Sequence, residues 1–259
     1  DEPILASKEV LFYGQAVAAI LAESHDQAKK AALLVTAEIE ELESIVSLDQ
    51  AKKSKSFLDD PIIVSTGNSQ KAIKDAKNSL TGSLSIGGQE HYYLEGQVAM
   101  SIPTESNEML VHSSTQNPTE VQHLVAHVLS VPQNAIEVVT RRMGGGFGGK
   151  ETDSSQLACV CAIFSKKTKH PVKARLSRRD DILLTGKRHD FVANYEVGYS
   201  DEGRIQGINI VLAARCGYSL DLSKAIVSRA LFHADNTYFI PNATFTGFLC
   251  KTNTVSNTA

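Results

Sequence analysis

An α+β fold of mixed sheets with packed helices is what this sequence predicts, and three features predict it. Short β-branched or apolar runs of strand length occur at 80–86, 98–102, 109–114, 136–140, 189–199 and 204–214. Apolar residues at helical spacing, or a long apolar run, mark 24–38, 119–129 and 154–165. The two kinds of run interleave without a steady βαβ alternation, which argues against a doubly wound parallel sheet.

Residues 10–21 are apolar around a Gly14-Gln15 interruption and predict a strand. Ser24 and Asp26 form a cap signal ahead of Ala28, Ala31, Ala32 and Val35, so a helix is expected over 24–38. A short strand is expected over 39–48, and a charged stretch then ends at Pro61, a natural boundary. In the helix at 119–129, Val121, Leu124, Val125 and Val128 share one face, and Val131-Pro132 closes it. Residues 154–165 are almost wholly apolar, as a buried helix would be. Asp201-Glu202-Gly203 joins the last two strand-like runs into a hairpin.

With 259 residues, one large domain preceded by a smaller piece is expected. The expected division is 1–55, a linker at 56–64, and a main domain at 65–259. The chain opens at Asp1 without a methionine and stops in a polar string at 252–259, so it reads as a piece of something longer. Its 26 basic and 29 acidic side chains show no long run of one sign, which gives no electrostatic reason to expect nucleic acid or an anionic membrane as partner. No run reaches the roughly 18 apolar residues of a membrane span, and no leader pattern is present, so a soluble cytoplasmic protein is expected. The four cysteines, Cys159, Cys161, Cys216 and Cys250, lack the C-x-x-C pairs of a zinc site, and Cys159, Cys161 and Cys250 read as packed thiols. His123 and His127 stand at i, i+4, but without the glutamate of a metalloprotease they form a weak metal signal. No metal-ligating side-chain set is expected.

The chemistry concentrates in one run: Met143, Gly144, Gly145, Gly146, Phe147, Gly148, Gly149, Lys150, Glu151. It lies between an expected strand and an expected helix, where a loop can aim backbone N–H groups at a ligand. Five glycines around one aromatic are costly to order, which favours a built loop over a flexible turn. Residues 144–150 also satisfy the G-x-x-x-x-G-K spacing of a phosphate loop. Glu151 opposes that reading, because a nucleotide site needs Ser or Thr there and a carboxylate would repel phosphates. The dinucleotide spacing G-x-G-x-x-G is also present, without its βαβ context.

The whole string resembles the molybdenum hydroxylases, the family of xanthine dehydrogenases and aldehyde oxidases. Other segments follow in that family's order: Gly87-Gly88-Gln89-Glu90-His91, Ser114-Thr115-Gln116-Asn117-Pro118, Arg229-Ala230-Leu231-Phe232-His233, Ile240-Pro241-Asn242 and Cys250-Lys251-Thr252-Asn253. The resemblance covers nearly the whole chain and implies the later part of an α/β hammerhead domain followed by the first half of a molybdopterin-binding domain. It implies a molybdenum held by a pterin dithiolene, leaving hydrogen bonding and shape to the protein. It further implies that Gln89 hydrogen-bonds the metal's oxo group and that the backbone of Phe147 and Gly148 lies against its ligand sphere. On local evidence alone Gln89 reads rather as a residue capping its own turn.

Purine-oxidising members resemble this chain in carrying a carboxylate after Gly-Gly-Lys and an arginine in the R-A-L-F-H segment, here Glu151 and Arg229. Both suit a planar purine, since a carboxylate and a guanidinium can address its edge and the negative charge that builds on the ring. The plainer readings are a helix cap for Glu151 and a surface or ion-pair role for Arg229. The resemblance therefore implies hydroxylation of hypoxanthine and xanthine, with [2Fe–2S] clusters, FAD and NAD on other domains or subunits of an oligomeric enzyme. It also implies that the general base and an F-R-G-F-G-G segment lie beyond Ala259, so that this chain alone neither retains molybdopterin nor turns over xanthine. Runner-up readings are an aldehyde oxidase or another aromatic-heterocycle hydroxylase, and a nucleotide-binding module.

Overall fold

The computed structural model describes residues 2–259. Its first elements are α1 (His25–Ala32), α2 (Leu48–Lys53), β1 (Ile62–Thr66), α3 (Ser69–Asp75) and β2 (Asn78–Ile86). Next come β3 (Val98–Pro103), β4 (Met109–Ser113), α4 (Pro118–Leu129), β5 (Ile136–Val139), α5 (Ser154–Thr168), β6 (Val172–Arg175) and α6 (Arg178–Leu184). Last are β7 (Phe191–Tyr199), β8 (Ile205–Gly217), α7 (Ser223–Phe232) and β9 (Ala243–Lys251). They form two compact units, one of residues 2–43 with Glu90–Gly186, the other of Ser44–Gln89 with Lys187–Ala259.

The first unit is built on a four-stranded sheet of order β5-β4-β3-β6. β4 and β5 are parallel, from Met109↔Ile136 to His112↔Val139, so the chain must cross over between them, and α4 makes that crossing. Asn117 caps α4 by accepting the Glu120 N–H at 3.2 Å, and Pro118 occupies the first turn, where its missing N–H costs nothing. Val121 and Val125 of α4 and Val111 of β4 are fully buried, in one cluster with Ala158 and Cys161 of α5. Each such branched side chain contributes about 1.5–3 kcal/mol on burial. The small residues of α5 bring that helix close to the sheet, as its apolar run predicts.

The second unit holds a five-stranded sheet of order β1-β9-β8-β7-β2. β7 and β8 form the expected hairpin. Its turn is closed by Gly203 N–H to Ser200 O at 2.9 Å, with Gly203 at φ +76, a conformation that excludes most side chains. β8 and β9 are parallel, and α7 crosses between them, burying Val227 and Leu231 against Phe245 and Leu249. Both sheets thus mix parallel and antiparallel pairs, and the α+β class expected from the interleaved runs is the class observed.

Several elements depart from expectation. Residues 10–21 and 39–48 are not strands, because no backbone among the described residues forms a ladder with them; Ile39 and Leu42 are exposed. Helix α1 keeps the Ser24 capping box with Gln27 but ends at Ala32, leaving Leu33 and Leu34 exposed. Elements α2, β1, α3, β6, α6, α7 and β9 are not expected from the sequence. Most are short, and β9 becomes a strand through pairing on both sides with segments distant in sequence.

All four cysteines are free and buried, as packed thiols should be. Burial pushes Cys159 and Cys216 up to about 12, and Cys161 and Cys250 up to about 11. His189 is also buried, its ring between the Ser223 hydroxyl (2.7 Å) and the Ala259 carbonyl (2.8 Å). Burial holds its pKa below the ordinary 6.5 despite the favourable carbonyl contact. The unfolded chain therefore takes up a proton first as pH falls past 6.5, and folding stability declines there. Urea midpoints measured from pH 7.5 to 5.5 are expected to fall, and His189→Asn is expected to flatten that slope; an unchanged slope in the variant would count against this assignment.

Candidate functional site

In the first unit the chain leaves β5 at Val139 and enters α5 at Ser154, and between them lies the glycine-rich loop. Its backbone turns through the left-handed region at Gly145 (φ +95), Phe147 (φ +53) and Gly148 (φ +91). A phenylalanine in that region carries steric strain, yet the residue is 72% exposed, so little apolar packing compensates for the conformation. Gly148 needs no such compensation, having no Cβ.

Hydrogen bonds hold this shape. Gly149 N–H closes on Gly146 O at 2.8 Å. The side-chain oxygen of Gln116, in the turn between β4 and α4, accepts from Gly148 N–H (3.0 Å) and Lys150 N–H (3.2 Å). Because that oxygen takes two donors, the Gln116 amide orientation is decided: its NH2 points away from the loop backbone. Gln116 is exposed, and its side-chain NH2 has no protein partner among the described residues.

Lys150 points inward and is fully buried. Its ammonium donates to Glu95 O (2.6 Å) and Ser114 Oγ (2.7 Å), lies 3.5 Å from the Glu95 carboxylate and sits 4.5 Å from the centre of the Tyr93 ring. Burial lowers its pKa, with the Glu95 charge opposing. Burial works against ionisation of Glu95, but the Ser114 hydroxyl and the Lys150 charge outweigh it and leave the carboxyl below its usual range. Beneath Lys150, Tyr93 OH donates to Asp181 at 2.6 Å, and burial together with that carboxylate raises the phenol's pKa. This geometry opposes the phosphate-loop reading. The lysine that would reach phosphates is committed to the interior, and the helix begins three residues too late for its N-terminus to meet them.

Glu151 follows at once, half-buried. It does not cap α5, whose N-cap is Asp153, and its carboxylate has no hydrogen-bond or ion-pair partner among the described residues. Phe147, Gly148 and Glu151 thus share one loop.

Gln89 and Arg229 belong to the second unit. Gln89 lies beyond β2 and is tied by its backbone to Arg188, with N–H to O at 3.3 Å and the return bond at 3.1 Å. The Arg188 guanidinium also donates to Gly87 O at 2.9 Å. The Gln89 side chain is exposed and caps no turn. Arg229 is in the last turn of α7, exposed and without an ion pair among the described residues. No hydrogen bond joins it to Gln89.

Sequence reasoning overlooked Gln116, Gln97 and the buried Tyr93–Asp181 pair, and it weighed Lys150 only as part of a motif. The S-T-Q-N-P string counts in the sequence only as part of the family's motif order; its glutamine acquires a role once the segment is folded against the glycine loop.

The profile of the molybdopterin cofactor-binding domain family matches residues 52–259. The chain belongs to that family. It is 43% identical over 259 residues to a xanthine dehydrogenase of Dictyostelium discoideum, covering 100% of this chain and 19% of that protein. With a xanthine dehydrogenase/oxidase of Felis catus the identity is 42% over 260 residues, covering 100% of this chain and 20% of the relative. The chain therefore spans about a fifth of these relatives. Among solved structures, quinoline 2-oxidoreductase from Pseudomonas putida 86 superposes with TM-score 0.90 at 20% identity, over 100% of this chain and 34% of that one. Aldehyde oxidoreductase from Desulfovibrio gigas gives TM-score 0.91 at 22% identity, over 100% and 29% respectively. At those identities the likeness concerns the fold. Membership of the molybdopterin cofactor-binding family agrees with the motif order and speaks against the runner-up reading of a nucleotide-binding module.

Proposed function

We propose that the whole protein carrying this chain is a cytoplasmic, molybdenum-dependent purine hydroxylase that converts hypoxanthine to xanthine and xanthine to urate. This chain contributes part of its cofactor- and substrate-binding surface, while [2Fe–2S] clusters, FAD and NAD bind other domains or subunits of an oligomer. The observation that carries the reading is Glu151, a half-buried carboxylate beside a strained glycine loop, neither a helix cap nor part of an ion pair among the described residues. A charge left unsatisfied by the protein at such a place is available to a ligand.

The residues present fit a molybdenum–pterin group, which asks for backbone approach and hydrogen-bond donors. Phe147 and Gly148 offer an exposed left-handed turn, and Gln116 offers an oriented amide beside it. Gln89, on the loop after β2, would hydrogen-bond the metal's oxo group, and the backbone of Phe147 and Gly148 would lie against its ligand sphere. When bound, the cofactor supplies oxygen insertion and accepts two electrons. Glu151 hydrogen-bonds the purine edge, and Arg229 stabilises negative charge that develops on a ring oxygen.

An aldehyde oxidase is the second reading, and Glu151 with Arg229 speaks against it. The test is turnover by the purified whole protein: xanthine oxidised in preference to aldehydes supports the assignment, and the reverse preference overturns it. In a parallel titration, this chain is expected to show no saturable binding of ATP with magnesium up to about 1 mM.

A further inference from the structure

We infer that Gln97, at the start of β3's approach and buried beneath the glycine loop, is a positioning residue that aims Glu151 and thereby sets discrimination between purines and aldehydes; this rests on the functional reading above. Gln97 is 1% exposed. Its side-chain Nε2 donates to Gly149 O at 3.0 Å and to Tyr93 OH at 3.1 Å, while its backbone N–H donates to Asp181 at 2.8 Å. The tyrosine hydroxyl gives its own proton to Asp181, so it can only accept from Gln97, and the amide orientation is fixed.

The consequence lies in the peptide joining Gly149 to Lys150. Gln97 holds its carbonyl, and Gln116 holds its N–H. The next carbonyl, that of Lys150, accepts from Gln116 N–H (2.8 Å), Thr115 Oγ1 (3.1 Å) and Ser154 Oγ (3.3 Å). The Lys150 side chain is buried as well. Every group leading up to Glu151 is therefore clamped, while the Glu151 carboxylate has no clamp of its own among the described residues. The direction in which it points is inherited from the peptides before it. Gln97 supplies the core-side clamp on the Gly149 carbonyl, as Thr115 and Ser154 do on the carbonyl that follows.

A second observation favours a positional purpose. The Gln97 side-chain oxygen is buried without a hydrogen-bond partner among the described residues. An orphaned acceptor lowers stability, so a residue selected for packing alone would be apolar here. The amide is retained for what its nitrogen holds.

The experiment uses Gln97→Met in the whole protein, compared with wild type per cofactor-loaded site. The ratio of kcat/KM for xanthine to kcat/KM for an aromatic aldehyde is expected to fall about tenfold, the scale of a small misplacement of a substrate-contacting group. Amide exchange over 148–151 is expected to accelerate in the same variant. A damaged fold would lower cofactor loading without moving the ratio per loaded site, so an unchanged ratio at full loading overturns the inference. Should Gln97→Met not fold, Tyr93→Phe removes the hydroxyl that Gln97 leans on and is expected to shift the ratio in the same direction, less far; no shift there overturns it too. If wild type does not oxidise xanthine, the functional reading fails on its own. Exchange over 148–151 then decides Gln97's hold on the loop, and unchanged exchange in the variant overturns it.

Discussion

Glu151→Val in the whole protein is expected to lower kcat/KM for xanthine by about 10²–10³-fold, the usual loss when a charged contact to the developing transition state is removed. The carboxylate has no structural duty to confuse the result. It caps no helix and has no partner among the described residues, so its loss leaves no protein group unpaired. Stability is expected to be unchanged or slightly raised, since an unpartnered half-buried charge is replaced by an apolar group of smaller volume. Activity towards aromatic aldehydes, which need no such acceptor, is expected to survive. Steady-state kinetics on both substrate classes with one preparation provide the check, and parallel losses on both would show that Glu151 acts on something other than purine recognition. Because the peptides leading to the acid are held by hydrogen bonds, a local change of substrate preference is the natural outcome.

Lys150→Met makes the opposite prediction: a large effect on folding. The side chain is fully buried, and removing its ammonium leaves Glu95 O and Ser114 Oγ without their donor. A loss of about 2–3 kcal/mol in unfolding free energy is expected. It falls short of the larger values seen for wholly buried pairs because the Glu95 side chain is 39% exposed and can be rehydrated. Urea denaturation reads this as a lower midpoint at unchanged slope. Glu95→Gln added to Lys150→Met is expected to recover part of the loss, since it removes the carboxylate left without its counter-charge. An additive loss in the double variant would mean that the pair is not coupled. ATP affinity is expected to be nil in wild type and variant alike, which separates this lysine from its look-alike in phosphate loops.

Much of the fold was legible in the residues. The helices α4 and α5 and the β7–β8 hairpin announced themselves through spacing, caps and the turn at Asp201-Glu202-Gly203, because those signals are local and act within a few residues. The strands expected at 10–21 and 39–48 failed for the complementary reason. A strand is completed by a partner, and alternation or apolarity in one segment says nothing about whether a partner is present. In the same way β9 escaped notice, although it pairs on both sides in its sheet.

For the site, the sequence by itself determined which chemical groups are available: a glycine loop that only a few residue types could form, an acid at 151, a guanidinium at 229, and no serine or threonine to complete a nucleotide site. Only the tertiary structure decided which of them are spent. Lys150 is consumed by a buried network, the Gln116 side-chain oxygen is taken up by two N–H groups of the glycine loop, and the Glu151 and Arg229 side chains remain without protein partners among the described residues. The physical reason is that a side chain's identity follows from the chain alone, whereas its hydrogen-bond satisfaction depends on neighbours that come from distant segments, and it is satisfaction that separates a structural polar group from one free to bind.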